Sequence, residues 1–212
     1  MKYISSDDLI LIGEGANAQV YKYNQPFCDG IPSAAVKIGQ RFNPRYAIEK
    51  YEIIKHAGCF TLAFYEECRV DGKPAIIMED LFTDDKIYVS PNSYGRPNCK
   101  PEMELANNPL TGLDNAESVL MQLRSFAMCC NGNGIGLDFD MISFGMQRGD
   151  ERPFVTCKLV DIDALLQDNS ARFKLMETNV VSAKEAFEKF VLYFVKKEAR
   201  ADLFSLYNNF NW

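Results

Sequence analysis

Three features of this sequence combine residue types and spacings that could do chemistry. The first is the glycine stretch "LIGEGANAQVYKY", with Gly13 and Gly15 two apart. Such a stretch either brings backbone N–H groups against a phosphate or simply closes a turn between two strands. The second is Lys37, alone in the apolar run "SAAVKIG", where an ammonium either meets an anion or is solvated at a strand edge. The third is a repeated acidic spacing: Asp138 and Asp140 in "GLDFDMIS", Asp161 and Asp163 in "KLVDIDALL". Carboxylates gathered at one place repel unless a cation neutralises them; on a surface they serve instead as turn residues.

Other chemistry is excluded by subtraction. The single histidine, His56, rules out a zinc site of several histidines and is the one residue on which a Ser-His-Asp triad could be built. It lies in the helical pattern "AIEKYEIIKHAG", where it reads as a helix end. The seven cysteines, at 28, 59, 68, 99, 129, 130 and 157, include no Cys-x-x-Cys pair and no metal spacing. They read as reduced thiols in a reducing compartment, with Cys129 and Cys130 serving packing. A net charge of -6 argues against a nucleic-acid binder, since neutralising phosphates needs a basic surface, and points to a protein or small-molecule partner. No apolar run approaches the roughly 20 residues of a membrane helix. "MKYISSDDLILIG" lacks the basic-then-apolar order of a Sec signal peptide.

At 212 residues the chain can build one substantial core or two small lobes sharing an interface. Alternation of apolar and polar residues predicts strands at 9–14 and 18–23, so the glycine stretch closes a hairpin instead of opening a helix as in a dinucleotide fold. "SAAVKIG" is a third strand. In "NPRYAIEKYEIIKHAG" Asn43 is the N-cap, Pro44 the first helical residue and Gly58 the terminator. "TLAFYEECRV" and "PAIIMEDL" flank an Asp-Gly turn and form a second hairpin. Residues 82–113, rich in proline, read as an irregular connection. Asn115 to Gly134 is an amphipathic helix capped by Asn115 or Asp114. Two short strands follow, each with an aspartate pair at one end, and residues 171–209 are helical.

The order of these parts resembles the protein-kinase superfamily across nearly the whole chain. In its glycine loop, G-x-G-x-x-G-x-V, the positions fall on Gly13, Gly15, Ala18 and Val20, with Ala18 in place of the third glycine. The strand lysine that grips nucleotide phosphates maps to Lys37, and its helix glutamate to Glu49, because Ile53 four residues on is taken as facing inward; Glu52 is the rival. "IIMEDL" is similar to the hinge, with Met78 as gatekeeper and Glu79 to Leu81 offering backbone hydrogen bonds to adenine. In the family's H-R-D-L-x-x-x-N loop only the aspartate is kept, as Asp138, with Ser143 at the metal-binding asparagine. Asp161 matches the magnesium-chelating aspartate of D-F-G, with Asp163 as an additional ligand, a D-x-D also found in small-molecule kinases of the superfamily.

The resemblance therefore implies an α+β, two-lobe protein-kinase-like fold. Residues 1–81 would form an N-lobe of five antiparallel strands and one helix, 82–113 a hinge and connection, and 114–212 a reduced, mainly helical C-lobe with the catalytic and metal-binding loops. It implies ATP and Mg2+ as cofactors, catalytic groups Asp138, Lys37 and Glu49, and a protein acceptor, Ser/Thr-directed. The short remainder after Asp163 and the closing "EARADLFSLYNNFNW" are similar to minimal effector kinases that bacterial pathogens inject into the host cytoplasm by type III secretion. That implies a host protein as substrate and leaves room for a host activator. A small-molecule phosphotransferase and a pseudokinase acting as a binding module are the alternative expectations.

Overall fold

The computed structural model describes residues 1–14, 18–28, 31, 33–39, 43–81, 83, 85–91, 100–160 and 172–212. Both strands of the first hairpin form where alternation places them, at Leu9–Glu14 (β2) and Ala18–Tyr23 (β3), preceded by a short strand Lys2–Ile4 (β1). Ala34–Gly39 (β4) pairs antiparallel with β3. The helix Pro44–His56 (α1) starts as its sequence dictates: the Asn43 side chain accepts the Tyr46 N–H at 3.4 Å and Pro44, which has no N–H to leave unpaired, stands at the first turn. Gly58 follows at φ 82°, a left-handed conformation that suits glycine. Phe64–Val70 (β5) and Lys73–Glu79 (β6) are joined by Asp71 and Gly72, at φ 46° and 82°, the two left-handed residues of a tight hairpin turn.

These strands lie in the order β1-β5-β6-β4-β3-β2. The expected five-stranded antiparallel sheet is thereby corrected to a six-stranded mixed one, because β1 pairs parallel with β5. Three residues are too few to show a period in the sequence. Burial of Ile4 beside Tyr23, Val36, Cys68, Val70 and Ile77 recruits them to the edge.

The expectation of an irregular 82–113 is also corrected, since the stretch holds a strand, Lys86–Val89 (β7), and a helix, Lys100–Asn107 (α2). β7 pairs with Ile142–Gln147 (β8), which pairs with Thr156–Leu159 (β9), in a three-stranded antiparallel sheet. Ala116–Gly132 (α3), Arg172–Phe194 (α4) and Lys197–Asn209 (α5) pack around it. Phe144 of β8 stacks on Phe190 of α4 at 4.2 Å between ring centroids, with Leu120, Leu123, Phe187 and Phe194 filling the same core. Asn115 does precede α3, but its amide is spent elsewhere. It accepts the Val155 N–H and donates to the Val155 carbonyl, both at 2.8 Å, pinning the approach to β9. The architecture is thus α+β, and no helix among the described residues is long and apolar enough to cross a membrane.

Cys59 and Cys129 form a disulfide between the loop after α1 and α3, which corrects the reading of every cysteine as a free thiol. The two are 70 residues apart, so no local spacing announces them. Cys68, Cys130 and Cys157 remain free and buried, and desolvation pushes the thiols of Cys68 and Cys130 up to about 12.

On β8, Gly145 stands opposite Tyr88 of β7, and a Cβ there would overlap the tyrosine ring. Gly145→Ala is expected to destabilise the protein by about 1–3 kcal/mol, the usual cost of overpacking. Adding Tyr88→Ala should recover part of the loss, so equal losses in the single and double variants by chemical denaturation would disprove the clash.

Candidate functional site

Side-chain alternation along β4 divides the six-stranded sheet into two faces. Ala34 and Val36 join Ile4, Tyr23 and Ile77 on one face, while Ala35 joins Ile76, Met78 and Ala47 of α1 on the other. Lys37 has the parity of Ala35 and so stands on the α1 face, where it is only 8% exposed. Its cross-strand neighbours are Val20 on β3 and Ile76 on β6. The next row of the same face is Lys22, Ala35 and Met78.

Ile12, Val20 and Leu81 pack at the margin of this apolar strip. Gly13 pairs with Val20 after a register shift in β2, and Ala18 pairs with Gly39 at the far end of the hairpin. Asp80 closes the strip: buried, it accepts a hydrogen bond from the Ser33 hydroxyl and lies 3.6 Å from the Lys22 ammonium. The structure therefore brings together Val20, Lys37, Met78 and Leu81, and adds Ile12, Ala35 and Asp80, whose signal in the sequence was only strand parity.

Glu49 is a correction. Its carboxylate is 62% exposed and pairs with Arg45 at 3.3 Å. The inward face of α1 is Ala47, Lys50, Tyr51 and Ile54, whereas Ile53, on which the choice of Glu49 rested, is 36% exposed. Glu52 lies 3.6 Å from His56, which ends the helix as its pattern suggested. Neither glutamate is brought to Lys37.

Glu79 is only partly free for a ligand. Its N–H donates to the Ala63 carbonyl at 2.8 Å, its carboxylate accepts the Ala63 N–H at 3.1 Å and pairs with Lys158 of β9. The Lys158 ammonium also faces the rings of Phe60 and Tyr88, at 4.8 and 5.4 Å. Burial first, and the Glu79 carboxylate second, raise the phenol pKa values of Tyr65 and Tyr88. This cluster ties the end of β6 to the three-stranded sheet. Backbone bonds reinforce it: Leu62 donates to the Leu159 carbonyl at 2.9 Å and Leu159 to the Phe60 carbonyl at 3.2 Å.

Asp138 is exposed at the start of a 3-10 turn, Phe139–Met141, and its carbonyl accepts the Met141 N–H at 3.1 Å. Val160, the residue before Asp161, donates to the Met141 carbonyl at 2.8 Å, so the chain entering the second aspartate pair leaves from the turn that carries the first. Asn179 of α4, fully buried, holds that turn from behind. It accepts the Leu137 N–H at 2.6 Å and donates to the Ile135 carbonyl at 2.8 Å and the Asn131 side chain at 2.7 Å. Nothing in the residues around Asn179 announces this. Ser143 is buried on β8 with Lys158 as its cross-strand neighbour, so an ammonium and not a carboxylate stands opposite it. Gly15, Asp161 and Asp163 lie outside the described residues.

Against known proteins, the chain matches no protein-family model and no curated protein sequence.

Proposed function

We propose that this chain is an ATP-dependent phosphotransferase with a protein-kinase-like two-lobe fold, acting on a Ser or Thr hydroxyl of a protein. One observation carries the reading: the strand order β2-β3-β4-β6-β5 with α1 inserted between β4 and β5, which sets the buried Lys37 at the end of an apolar strip. Such a strip suits the apolar faces of a purine, and an ammonium at its end suits the phosphates that follow. The closeness of the Asp138 turn to the chain entering Asp161 adds support.

In this reading Lys37 holds the phosphates and Asp138, open to solvent, aligns the acceptor hydroxyl and takes its proton. Val20, Ala35, Met78 and Leu81 enclose the base. The Glu79 N–H is already bonded to Ala63, which leaves its carbonyl and the Leu81 backbone to meet adenine. Magnesium would neutralise phosphate charge when bound. Its ligands in this reading are Asp161 and Asp163, the positions that the resemblance assigns to the metal. The resemblance carries the further proposal that the acceptor is a host protein met after secretion. The outward position of Glu49 favours a second reading, a nucleotide-binding module without transfer.

Thermal melting with and without ATP and magnesium separates these. At a hundredfold excess over its dissociation constant the nucleotide should stabilise the protein by about 2.7 kcal/mol. A melting curve indifferent to ATP removes the nucleotide site from consideration. A shift without transfer of labelled phosphate to any protein of a eukaryotic lysate leaves the binding module.

A further inference from the structure

Among the described residues, most buried charges have partners of opposite charge or hydrogen-bonding partners. Asp80 meets Ser33 and Lys22, Lys158 meets Glu79, and Glu102 accepts the Ser90 N–H at 2.9 Å. Lys50 does not follow the pattern. It is 2% exposed, and among the described residues its ammonium meets only the ring of Tyr46, 3.9 Å from the centroid. A ring contact offsets only part of the cost of burying an ammonium without an anion.

Helix periodicity says where the charge lies. Ala47 packs against Ala35, Leu62, Ile76 and Met78 on the α1 face of the sheet, and Lys50 is one turn further along the same face. Lys37 rises from that face of β4. Two lysines, one from the strand and one from the helix, thus stand on the surfaces that sheet and helix turn toward each other. The buried face of α1 offers a cation, Lys50, and no acid.

We propose that Lys50 is a binding residue for the nucleotide's polyphosphate, gripping it together with Lys37. The inference rests on the nucleotide-binding reading above. An ammonium pair selects for the number of phosphates, so the affinity gained through Lys50 belongs to ATP and to inorganic tripolyphosphate and not to adenosine.

Titration calorimetry in the presence of magnesium, on wild type, Lys50→Met, Lys50→Gln and Lys50→Arg, tests this with ATP, tripolyphosphate and adenosine as probes. Both neutral variants should bind ATP and tripolyphosphate at least about tenfold more weakly, as loss of a charge-assisted contact implies, with adenosine changed less than about twofold. Lys50→Arg should recover most of the loss. Without ligand, Lys50→Met should melt no lower than wild type, because it removes an uncompensated charge and keeps the stem's volume. Wild type that binds ATP while both neutral variants bind it equally well overturns the role of Lys50 and leaves the nucleotide reading intact. Wild type that binds neither ATP nor adenosine overturns the nucleotide reading, and the inference falls with it.

Discussion

Lys37→Met is expected to lower phosphoryl transfer at least a hundredfold while leaving the protein folded. Lys37 is held in place by β4, with Val20 and Ile76 as flanking neighbours, and at 8% exposure its ammonium acts where water screens little. A preorganised cation in such a site needs no rearrangement as charge develops on the transferring group, and removing a comparable donor typically costs about 10²–10³ in rate, or 2.7–4 kcal/mol. Methionine keeps the length and volume of the stem, so packing against Ala35 and Ile76 is preserved and the loss isolates charge. Single-turnover transfer from labelled ATP, with melting measured alongside, checks the expectation. A folded variant that retains wild-type turnover would remove Lys37 from the phosphate site and with it the main support for the proposed reaction.

Asn179→Leu should produce the largest loss of stability of any single substitution considered for this protein. Leucine keeps asparagine's branching but is larger and carries no polar atoms, so overpacking adds to the loss of hydrogen bonds. The Leu137 N–H and the Ile135 carbonyl, which Asn179 satisfies at 2.6 and 2.8 Å in a fully buried position, would be left without it. Each orphaned buried group costs about 1–3 kcal/mol, so a total of roughly 3–5 kcal/mol is expected. For a chain of this size each kcal/mol lowers the melting temperature by about 2–4 °C, giving a fall on the order of 10 °C. Because Leu137 precedes Asp138, the same substitution should impair transfer beyond what partial unfolding explains, measured well below the variant's melting point. A melting temperature within 2 °C or so of wild type would mean that the turn carries itself and that Asn179 is dispensable.

Local signals in the sequence were enough for elements whose causes are local. The Asp71-Gly72 turn needs two left-handed residues and names them. α1 has its asparagine cap, its proline at the first turn and its terminating glycine within sixteen residues, 43–58, and it forms where they say. Lys37 was legible as the lone charge of an apolar strand, and strand parity alone sets it on the same face as Ala35.

What tertiary structure decided depended on surfaces that meet across long stretches of chain. β1 and β7 are three and four residues long and exist because Val70 and Phe144 lie where they can pair with them. Cys59 reaches Cys129 only after α1 and α3 are side by side. The phase of α1 is the sharpest case. Ile48, Tyr51, Ile53 and Ile54 wrap far enough around the helix that composition permits either of two neighbouring faces to turn inward. Packing of Ala47 against the sheet and of Tyr51 and Ile54 against the lower core chose the face that buries Lys50 and turns Glu49 to solvent. A helix rotates as one body, so a shift of one residue in its phase replaces an acid with a base on the face turned to the sheet, and only the surfaces packed on both sides of it could set that phase.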